Sequence, residues 1–137
     1  MHKNFTHNVK VYYEDTDAGG VVYYANYLKY LERARTEALS NIGLSNTKIK
    51  NDFGAFIIVK SCNIEYKKSA HLEDDLQIVS FVKSTSKTSF LMNQSIFKDE
   101  ELIVVAKIHL VFINEIFKPV KIPEKILSEF KPYTSST

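Results

Sequence analysis

The amino-acid sequence predicts an α+β fold in which a five-stranded antiparallel sheet wraps around one long helix. One amphipathic stretch with helical periodicity follows a single short strand near the amino terminus. Four extended stretches, rich in β-branched and aromatic residues, come after that helix. This order excludes a doubly wound fold, in which strands and helices alternate. The sheet has an apolar face that must be covered, and the long helix is predicted to cover it.

The first strand and the long helix are predicted from their periodicities. Apolar residues alternate with other residues over Asn8 to Tyr13, which is typical of a strand. From Tyr24 to Ile42, apolar residues recur at steps of three and four, and charged residues fill the opposite face. Gly43 is a natural end for this helix. A short second helix or an irregular segment is expected over Ser45 to Asp52.

The rest of the sheet is predicted to follow in one run. The four later strands are expected at Ala55 to Tyr66, Leu76 to Lys83, Ser89 to Lys98 and Leu102 to Ile113. Polar breaks at Ser84 to Thr88 and at Lys98 to Glu101 suit hairpins, so consecutive strands are expected to pair antiparallel. A last short helix is predicted to begin at Pro123.

Length and composition describe one domain over residues 1–137, since domains usually need about 100 residues each. A net charge of +2 without a basic run argues against nucleic acid as a partner. The longest apolar run, Leu102 to Ile113, is shorter than the roughly 20 residues of a membrane span, so no transmembrane segment is predicted. Cys62 has no other cysteine to pair with and no signal-like segment opens the chain, which predicts a cytoplasmic location.

The stretch Leu102 to Ile113 also bears on assembly, because it is apolar on both of its alternating faces. Such a strand is either central and covered on both sides or buried in an interface between subunits. A homodimer or a homotetramer is therefore predicted.

The densest polar cluster is Glu14 to Gly20, where three carboxylates and two glycines separate the first strand from the long helix. One interpretation is a solvated loop that caps the helix. The other is a catalytic site, because Gly19 and Gly20 let another molecule approach the backbone and free amides at a helix start polarise a carbonyl. A calcium loop beginning at Asp15 is excluded, because its fifth and twelfth positions are Gly19 and Asn26.

Other candidate sites are weaker. Asp15 and Asp17 have the spacing of a phosphoryl-transfer turn, but the following threonine and the parallel sheet of such enzymes are missing. Cys62 is more typical of a small buried residue than of a reactive thiol. The four histidines have no metal-ligand spacing, so no metal site is predicted. The polar turn around Lys87 suits either an anion contact or an ordinary connection.

The stretch from Val11 to Leu28, continuing through Glu32 to Arg35, resembles the hotdog-fold acyl-CoA thioesterases of the 4-hydroxybenzoyl-CoA thioesterase and YbgC type. The aspartate turn, the glycine pair and the Tyr-x-Asn-Tyr helix start occur together and in that order. The likeness covers most of residues 5–115 and leaves Pro119 to Thr137 outside the specific match. It implies a single hotdog domain that hydrolyses an acyl-CoA thioester without a cofactor.

The resemblance also implies site residues. The second aspartate of the family's turn is catalytic and corresponds to Asp17, with Asp15 in a supporting role. Many YbgC-type proteins have His where this chain has Tyr24, whereas the 4-hydroxybenzoyl-CoA enzymes resemble it in having Tyr. Family members bind the nucleotide part of coenzyme A near the turn between the third and fourth strands. The implied substrate-binding residues are Gly20, Tyr24, Asn26, Lys87 and Ser89.

A single carboxylate suits a thioester, because the leaving thiol has a pKa of about 8.5 and needs little acid assistance. Asp17 is expected to act either as nucleophile or as general base, with amides from Val22 to Tyr24 polarising the carbonyl. The alternative from another class is a non-catalytic module that binds acyl-CoA or acyl carrier protein. A dehydratase is disfavoured, because Tyr24 stands where that activity requires a histidine. The acyl group and its carrier, coenzyme A or acyl carrier protein, stay open.

Overall fold

The computed structural model describes residues 2–135 of the chain. Its strands are β1 (Phe5–Lys10), β2 (Phe56–Tyr66), β3 (Asp75–Thr85), β4 (Ser89–Lys98) and β5 (Glu101–Ile113), and its α-helices are α1 (Ala25–Asn41), α2 (Asn46–Phe53) and α3 (Glu124–Phe130). The strands form one sheet in the order β1-β3-β4-β5-β2, and every neighbouring pair is antiparallel. The predicted five-stranded antiparallel sheet with one long helix is confirmed.

One predicted pairing is wrong. The sequence suggested that each later strand pairs with the next, but β2 pairs with β5, and β3 pairs with β1 and β4. The segment between β2 and β3 is too long for a tight hairpin and crosses the end of the sheet instead. As a result β1 and β2 form the two edges of the sheet.

The first strand also ends earlier than predicted. β1 stops at Lys10, and the chain turns into a short 3-10 helix over Tyr13–Asp15. The turn forms because the backbone N–H of Val11 bonds to the carbonyl of Asp74, and the N–H of Tyr12 bonds to the Asp15 carboxylate. These bonds replace the strand ladder and place the acidic loop at one end of the sheet.

Helix α1 begins and ends within one residue of the predicted limits and packs on the inner face of the sheet. Its buried side chains are Tyr27, Tyr30, Leu31, Ala34 and Ala38. Gln94 of β4, fully buried, ties the helix to the sheet, since its Nε2 donates to the Leu31 carbonyl and to Ser80 Oγ, each at 3.1 Å. Helix α3 adds Ile126 and Phe130 to the same core.

No element among residues 2–135 covers the outer face of the sheet. Strand β5 lies between β4 and β2, yet its outward residues Val105, His109 and Val111 are only partly buried. Of the two explanations for its doubly apolar pattern, coverage of both faces within one subunit is therefore wrong. No helix among residues 2–135 is long and apolar enough to cross a bilayer.

Candidate active site

The loop that joins β1 to α1 is held against the segment that leads into β3. The N–H of Val22 donates to the carbonyl of Ala70 at 2.9 Å, and the N–H of Leu72 donates to the carbonyl of Gly20 at 3.1 Å. The buried hydroxyl of Tyr27 accepts the N–H of Ala70 at 2.9 Å, which fixes this segment to α1 as well. The acidic loop therefore has a defined position at the start of the helix.

The Asp17 carboxylate lies at the tip of this loop and is exposed. Its Oδ1 accepts the N–H of Gly19 at 2.8 Å, and its own N–H donates to the carbonyl of Val21 at 2.9 Å. Gly20 follows with a φ of +79°, a conformation that favours glycine. One carboxylate oxygen is thus fixed by the loop, while the other has no hydrogen-bond partner among residues 2–135.

Asp15 joins the loop to the helix. Its carbonyl accepts the N–H of Tyr23 at 3.0 Å and the side-chain amide of Asn26 at 2.8 Å, and its carboxylate accepts the N–H of Tyr12 at 2.9 Å. Burial and the neighbouring Asp15 carboxylate raise the pKa of the Tyr30 phenol well above its ordinary value. Through these contacts Asp15 and Asn26 hold the loop against the start of α1, and the supporting role of Asp15 stays a prediction.

The amides at the start of α1 are not all available to a ligand. Those of Val22 and Tyr23 already donate within the chain, to Ala70 and Asp15 respectively. Those of Tyr24 and Ala25 have no acceptor in the part of the chain that the structure describes. Of the predicted polarising amides, Val22 to Tyr24, two therefore already have acceptors, and only the N–H of Tyr24 has none among residues 2–135.

Aromatic side chains form a wall beside these amides. Tyr24 is 61% exposed, and its ring centroid lies 5.0 Å from that of Tyr23 and 6.1 Å from that of Tyr66. Tyr66, at the end of β2, also contacts the ring of Tyr27, with centroids 5.6 Å apart. Tyr66 was not predicted as a site residue, because only the pairing of β2 with β5 carries the end of β2 to this place.

The structure separates the remaining predicted binding residues from Asp17. Strand β3 spans 11 residues, or roughly 33 Å at about 3.3 Å per residue. It starts at the acidic-loop end and finishes at the turn that carries Lys87 and Ser89. There the Ser89 hydroxyl contacts that of Ser86 at 2.7 Å. Within one chain, Asp17, Gly20, Tyr24 and Asn26 come together, whereas Lys87 and Ser89 lie at the opposite end.

Asp74 stabilises the segment that leads into β3, against which the acidic loop is held. Its carboxylate accepts the N–H of His71 at 2.8 Å and lies 3.1 Å from the Lys98 ammonium, and its carbonyl accepts the N–H of Val11. Burial alone raises the pKa of Asp74, but the His71 amide and the Lys98 charge outweigh burial and hold this pKa below its ordinary value.

We expect Asp74 to make stability depend on pH. A carboxyl whose pKa is lowered by folding contributes stability above its unfolded pKa of about 3.9, and this contribution is lost as pH falls through the folded value. Asp74→Asn should cost about 1–2 kcal/mol of unfolding free energy at pH 7 and flatten the loss of stability between pH 5 and pH 2. Urea unfolding across that range measures both effects.

Asp75 provides the matched control for this prediction. It is the next residue, and its side chain is 80% exposed with Lys10 at 3.5 Å. Asp75→Asn should change stability by less than about 0.5 kcal/mol, because exposed ion pairs contribute little. Equal effects of the two substitutions would contradict the role given to Asp74.

No three histidine, cysteine, aspartate or glutamate side chains among residues 2–135 converge in a way that could hold a metal ion.

Residues 11–130 match the family model of the thioesterase-like superfamily. The chain belongs to this family. Acyl-CoA thioester hydrolase YbgC of Escherichia coli is 40% identical over 125 residues, which cover 90% of this chain and 92% of that protein. A probable thioesterase of Bartonella henselae is 32% identical and covers 88% of this chain and all of its own, with a TM-score of 0.85.

A 4-hydroxybenzoyl-CoA thioesterase variant in complex with 4-hydroxybenzoyl-CoA covers 93% of this chain and 98% of its own, with a TM-score of 0.86. At 21% identity this likeness shows a shared fold. Together these relatives confirm the predicted family, the hotdog fold and the class of thioester hydrolase. The family match runs to residue 130, so the predicted limit near residue 115 is too short, and α3 belongs to the family domain.

Proposed function

We propose that the protein is an acyl-CoA thioesterase in which Asp17 is the catalytic carboxylate. The observation that carries this proposal is the pairing of two features at one loop. The Asp17 side chain is exposed and fixed by Gly19, and the N–H groups of Tyr24 and Ala25 at the start of α1 have no acceptor among residues 2–135. The YbgC relative is named for the hydrolysis of acyl-CoA thioesters, which fits this arrangement.

The two features divide the reaction between them. The carbonyl oxygen of the thioester accepts the N–H groups of Tyr24 and Ala25, which stabilise the negative charge that develops there. Asp17 either attacks the carbonyl carbon to form a mixed anhydride or removes a proton from the attacking water. In both routes the C–S bond breaks, coenzyme A leaves as a thiolate, and one water molecule is consumed to give the free acid.

The other predicted site residues either face the substrate or act through Asp15. The exposed ring of Tyr24 and the edge of Tyr66 offer an apolar surface to the acyl group or to the pantetheine arm. Gly20 keeps the backbone of the loop open to the substrate, because its neighbourhood has no atom within 4 Å of a would-be Cβ. Asn26 acts through Asp15, whose carbonyl it holds.

The protein is proposed to work as a homodimer joined along β2. This edge strand exposes Ile58 at 39% and Val59 at 47%, and its outer backbone edge has no partner strand among residues 2–135. Such an edge readily pairs with another strand. Antiparallel pairing with a second copy about a two-fold axis places the start of one β2 beside the end of the other.

This pairing would reunite the separated binding residues. Val111 of β5 pairs with both Ile58 and Ser89, so the turn with Lys87 lies at the start of β2. Tyr66 lies at the other end of β2, against Tyr24. In the dimer, Lys87 and Ser89 of one subunit therefore lie on the side of the Asp17 loop of its partner, where they bind the phosphates of coenzyme A.

The test is the release of free thiol, followed with a thiol-reactive dye, from short, long and aromatic acyl-CoAs and from acyl carrier protein loaded with the same acyl groups. Turnover of an acyl-CoA supports the thioesterase and ranks its acyl groups. Turnover of the carrier-protein substrates alone would identify acyl carrier protein, in place of coenzyme A, as the carrier of the acyl group. Binding of acyl-CoA without thiol release from any substrate would favour a non-catalytic module and contradict the proposal.

A substitution at Gly19 tests the geometry of the carboxylate. A Cβ added to Gly19 would lie 3.3 Å from Asp17 Oδ1, which forces the carboxylate to move by a few tenths of an ångström. We expect Gly19→Ala to lower kcat by about tenfold, since small misplacements of reacting groups are costly. Gly43→Ala is the control, because Gly43 has a φ of +76° at the far end of α1. It should lower stability by about 1 kcal/mol and leave kcat unchanged.

A further inference from the structure

Helix α1 contains a buried tyrosine whose hydroxyl group lacks a hydrogen-bond partner. Tyr30 is 1% exposed, and its hydroxyl is the one buried side-chain oxygen or nitrogen among residues 2–135 without such a partner. Its ring packs edge-on against that of Tyr27, with centroids 6.2 Å apart. An unsatisfied buried hydroxyl is costly, and phenylalanine would fill the same space without that cost. The hydroxyl is therefore expected to bond to a neighbouring group in solution.

The Asp15 carboxylate is the neighbouring group that suits this hydroxyl. One of its oxygens accepts the N–H of Tyr12 at 2.9 Å, and the other has no donor in the part of the chain that the structure describes. Asp15 acts on Tyr30 both as a hydrogen-bonding group and through its charge, and both effects raise the pKa of the phenol. A donor without an acceptor thus lies beside an oxygen without a donor. A bond from an O–H group to a carboxylate is among the stronger hydrogen bonds in proteins.

We propose that Tyr30 is a positioning residue, whose O–H donates to the free carboxylate oxygen of Asp15 and fixes the acidic loop to α1. The hydroxyl hydrogen rotates about its C–O bond, so it can turn toward this oxygen. The inference rests on the proposed function, because the bond would keep Asp17, two residues after Asp15, in place. Tyr30 itself is buried in the core and acts on the reaction only through the loop.

The bond would add a second attachment between Asp15 and α1. The carbonyl of Asp15 already accepts the N–H of Tyr23 and the side-chain amide of Asn26, so the backbone of the loop is held at the start of the helix. The carboxylate, in contrast, is held at one of its two oxygens. With Tyr30 on the other oxygen, both the backbone and the side chain of Asp15 are anchored. The position of Asp17 relative to the start of α1 is then fixed.

Tyr30→Phe tests the bond by the sign of its effect on stability. If the hydroxyl donates to Asp15, its removal takes away a hydrogen bond to a charged group and should lower the urea midpoint of unfolding by roughly 0.5–1 M. If the hydroxyl has no partner, its removal takes away a buried unsatisfied group and should raise the midpoint. Urea unfolding of the full chain at pH 7 measures this shift and requires no enzymatic activity.

Asp15→Asn identifies the acceptor. Asparagine replaces one carboxylate oxygen by an NH₂ group, so it cannot accept from both Tyr12 and Tyr30. We expect Asp15→Asn to lower the midpoint of the unaltered protein. In the Tyr30→Phe background it should lower the midpoint by less than about half as much, because the bond is already lost there.

Steady-state thiol release tests the positioning role. Tyr30→Phe should lower kcat about tenfold and leave KM for an acyl-CoA within about twofold, because the substrate still binds while Asp17 is misplaced. Tyr133→Phe is the matched control. Tyr133 stacks on Phe5 at the start of β1, opposite to the acidic loop, with ring centroids 3.9 Å apart. Its substitution should change neither kcat nor the urea midpoint.

Three results would overturn the proposal. These are an unchanged or raised midpoint in Tyr30→Phe, fully additive effects of Tyr30→Phe and Asp15→Asn, and a kcat in Tyr30→Phe equal to that of the unaltered protein. The last result would leave the hydroxyl with a structural role alone. If the unaltered protein releases no thiol from any substrate, the proposed function fails, whereas the unfolding measurements still decide whether Tyr30 bonds to Asp15.

Discussion

Asp17→Asn is expected to reduce thioester hydrolysis by roughly 10²–10⁴-fold if the carboxylate is a general base, and by more if it is the nucleophile. The asparagine keeps an oxygen that can accept the N–H of Gly19, so the loop retains its shape. Acyl-CoA binding and the unfolding free energy should therefore stay close to those of the unaltered protein. Thiol release, calorimetric binding of an acyl-CoA and urea unfolding measure the three quantities.

Glu14 supplies the matched control in the same loop. Its side chain is exposed and makes no hydrogen bond or ion pair within residues 2–135. Glu14→Gln removes the same charge and should keep turnover within about twofold, since surface substitutions away from a site have small effects. Near-normal turnover in Asp17→Asn, or an equal loss in Glu14→Gln, would contradict the assignment of Asp17.

The two chemical routes differ in where oxygen from water goes. In a single turnover in ¹⁸O-labelled water, a mixed anhydride opened at the aspartyl carbon leaves ¹⁸O in the Asp17 side chain. General-base catalysis puts the label only into the released acid. Mass spectrometry of the peptide that contains Asp17 therefore identifies the nucleophilic route if the label is found there.

Much of the fold was predictable, because helix α1 and strands β2 to β5 have local patterns that agree with their final environments. The alternation of β4 is an example: Phe90, Met92, Gln94 and Ile96 all face the inner side. The pairing of β2 with β5 was not predictable, because β3 and β5 are both rich in apolar residues. The sequence pattern therefore does not distinguish them as partners of β2. Strand β1 ended early because Asp74, from a distant segment, takes the N–H of Val11.

The candidate site was predictable where it is contiguous in sequence. Asp15, Asp17 and Gly20 lie in one loop, so their types and spacing were enough to propose a site there. Tyr66 and Asp74 were missed, because they reach the loop only through the order of the strands. That the N–H groups of Val22 and Tyr23 already donate to Ala70 and Asp15 was not predictable either, since no local pattern shows it.

The second large effect is expected at the β2 edge. Ile58→Lys places a charge on the proposed seam between two subunits, and lysine on an edge strand opposes pairing with another strand. We expect a folded monomer with thiol release reduced by at least about tenfold, because Lys87 and Ser89 of the partner are then lost from the site. Sedimentation velocity measures the assembly, and the thioesterase assay measures the activity.

Leu91→Lys is the control for this substitution. Leu91 is 38% exposed and Ile58 is 39% exposed, but Leu91 lies on the outer face of β4, away from the edge. It should leave both assembly and turnover unchanged if the dimer forms along β2. A response of Leu91→Lys alone would place the interface on the outer face, and an active Ile58→Lys monomer would contradict a site shared between subunits.

Mixing two inactive variants tests the shared site directly. Lys87→Glu is expected to impair coenzyme A binding, and Asp17→Asn to remove the catalytic carboxylate. In a mixed dimer, one of the two sites combines an intact Asp17 with an intact Lys87 from the other subunit. After random exchange, half of the dimers are mixed, so about a quarter of the original activity should return. No recovery after demonstrated exchange would mean that Lys87 does not act across the interface.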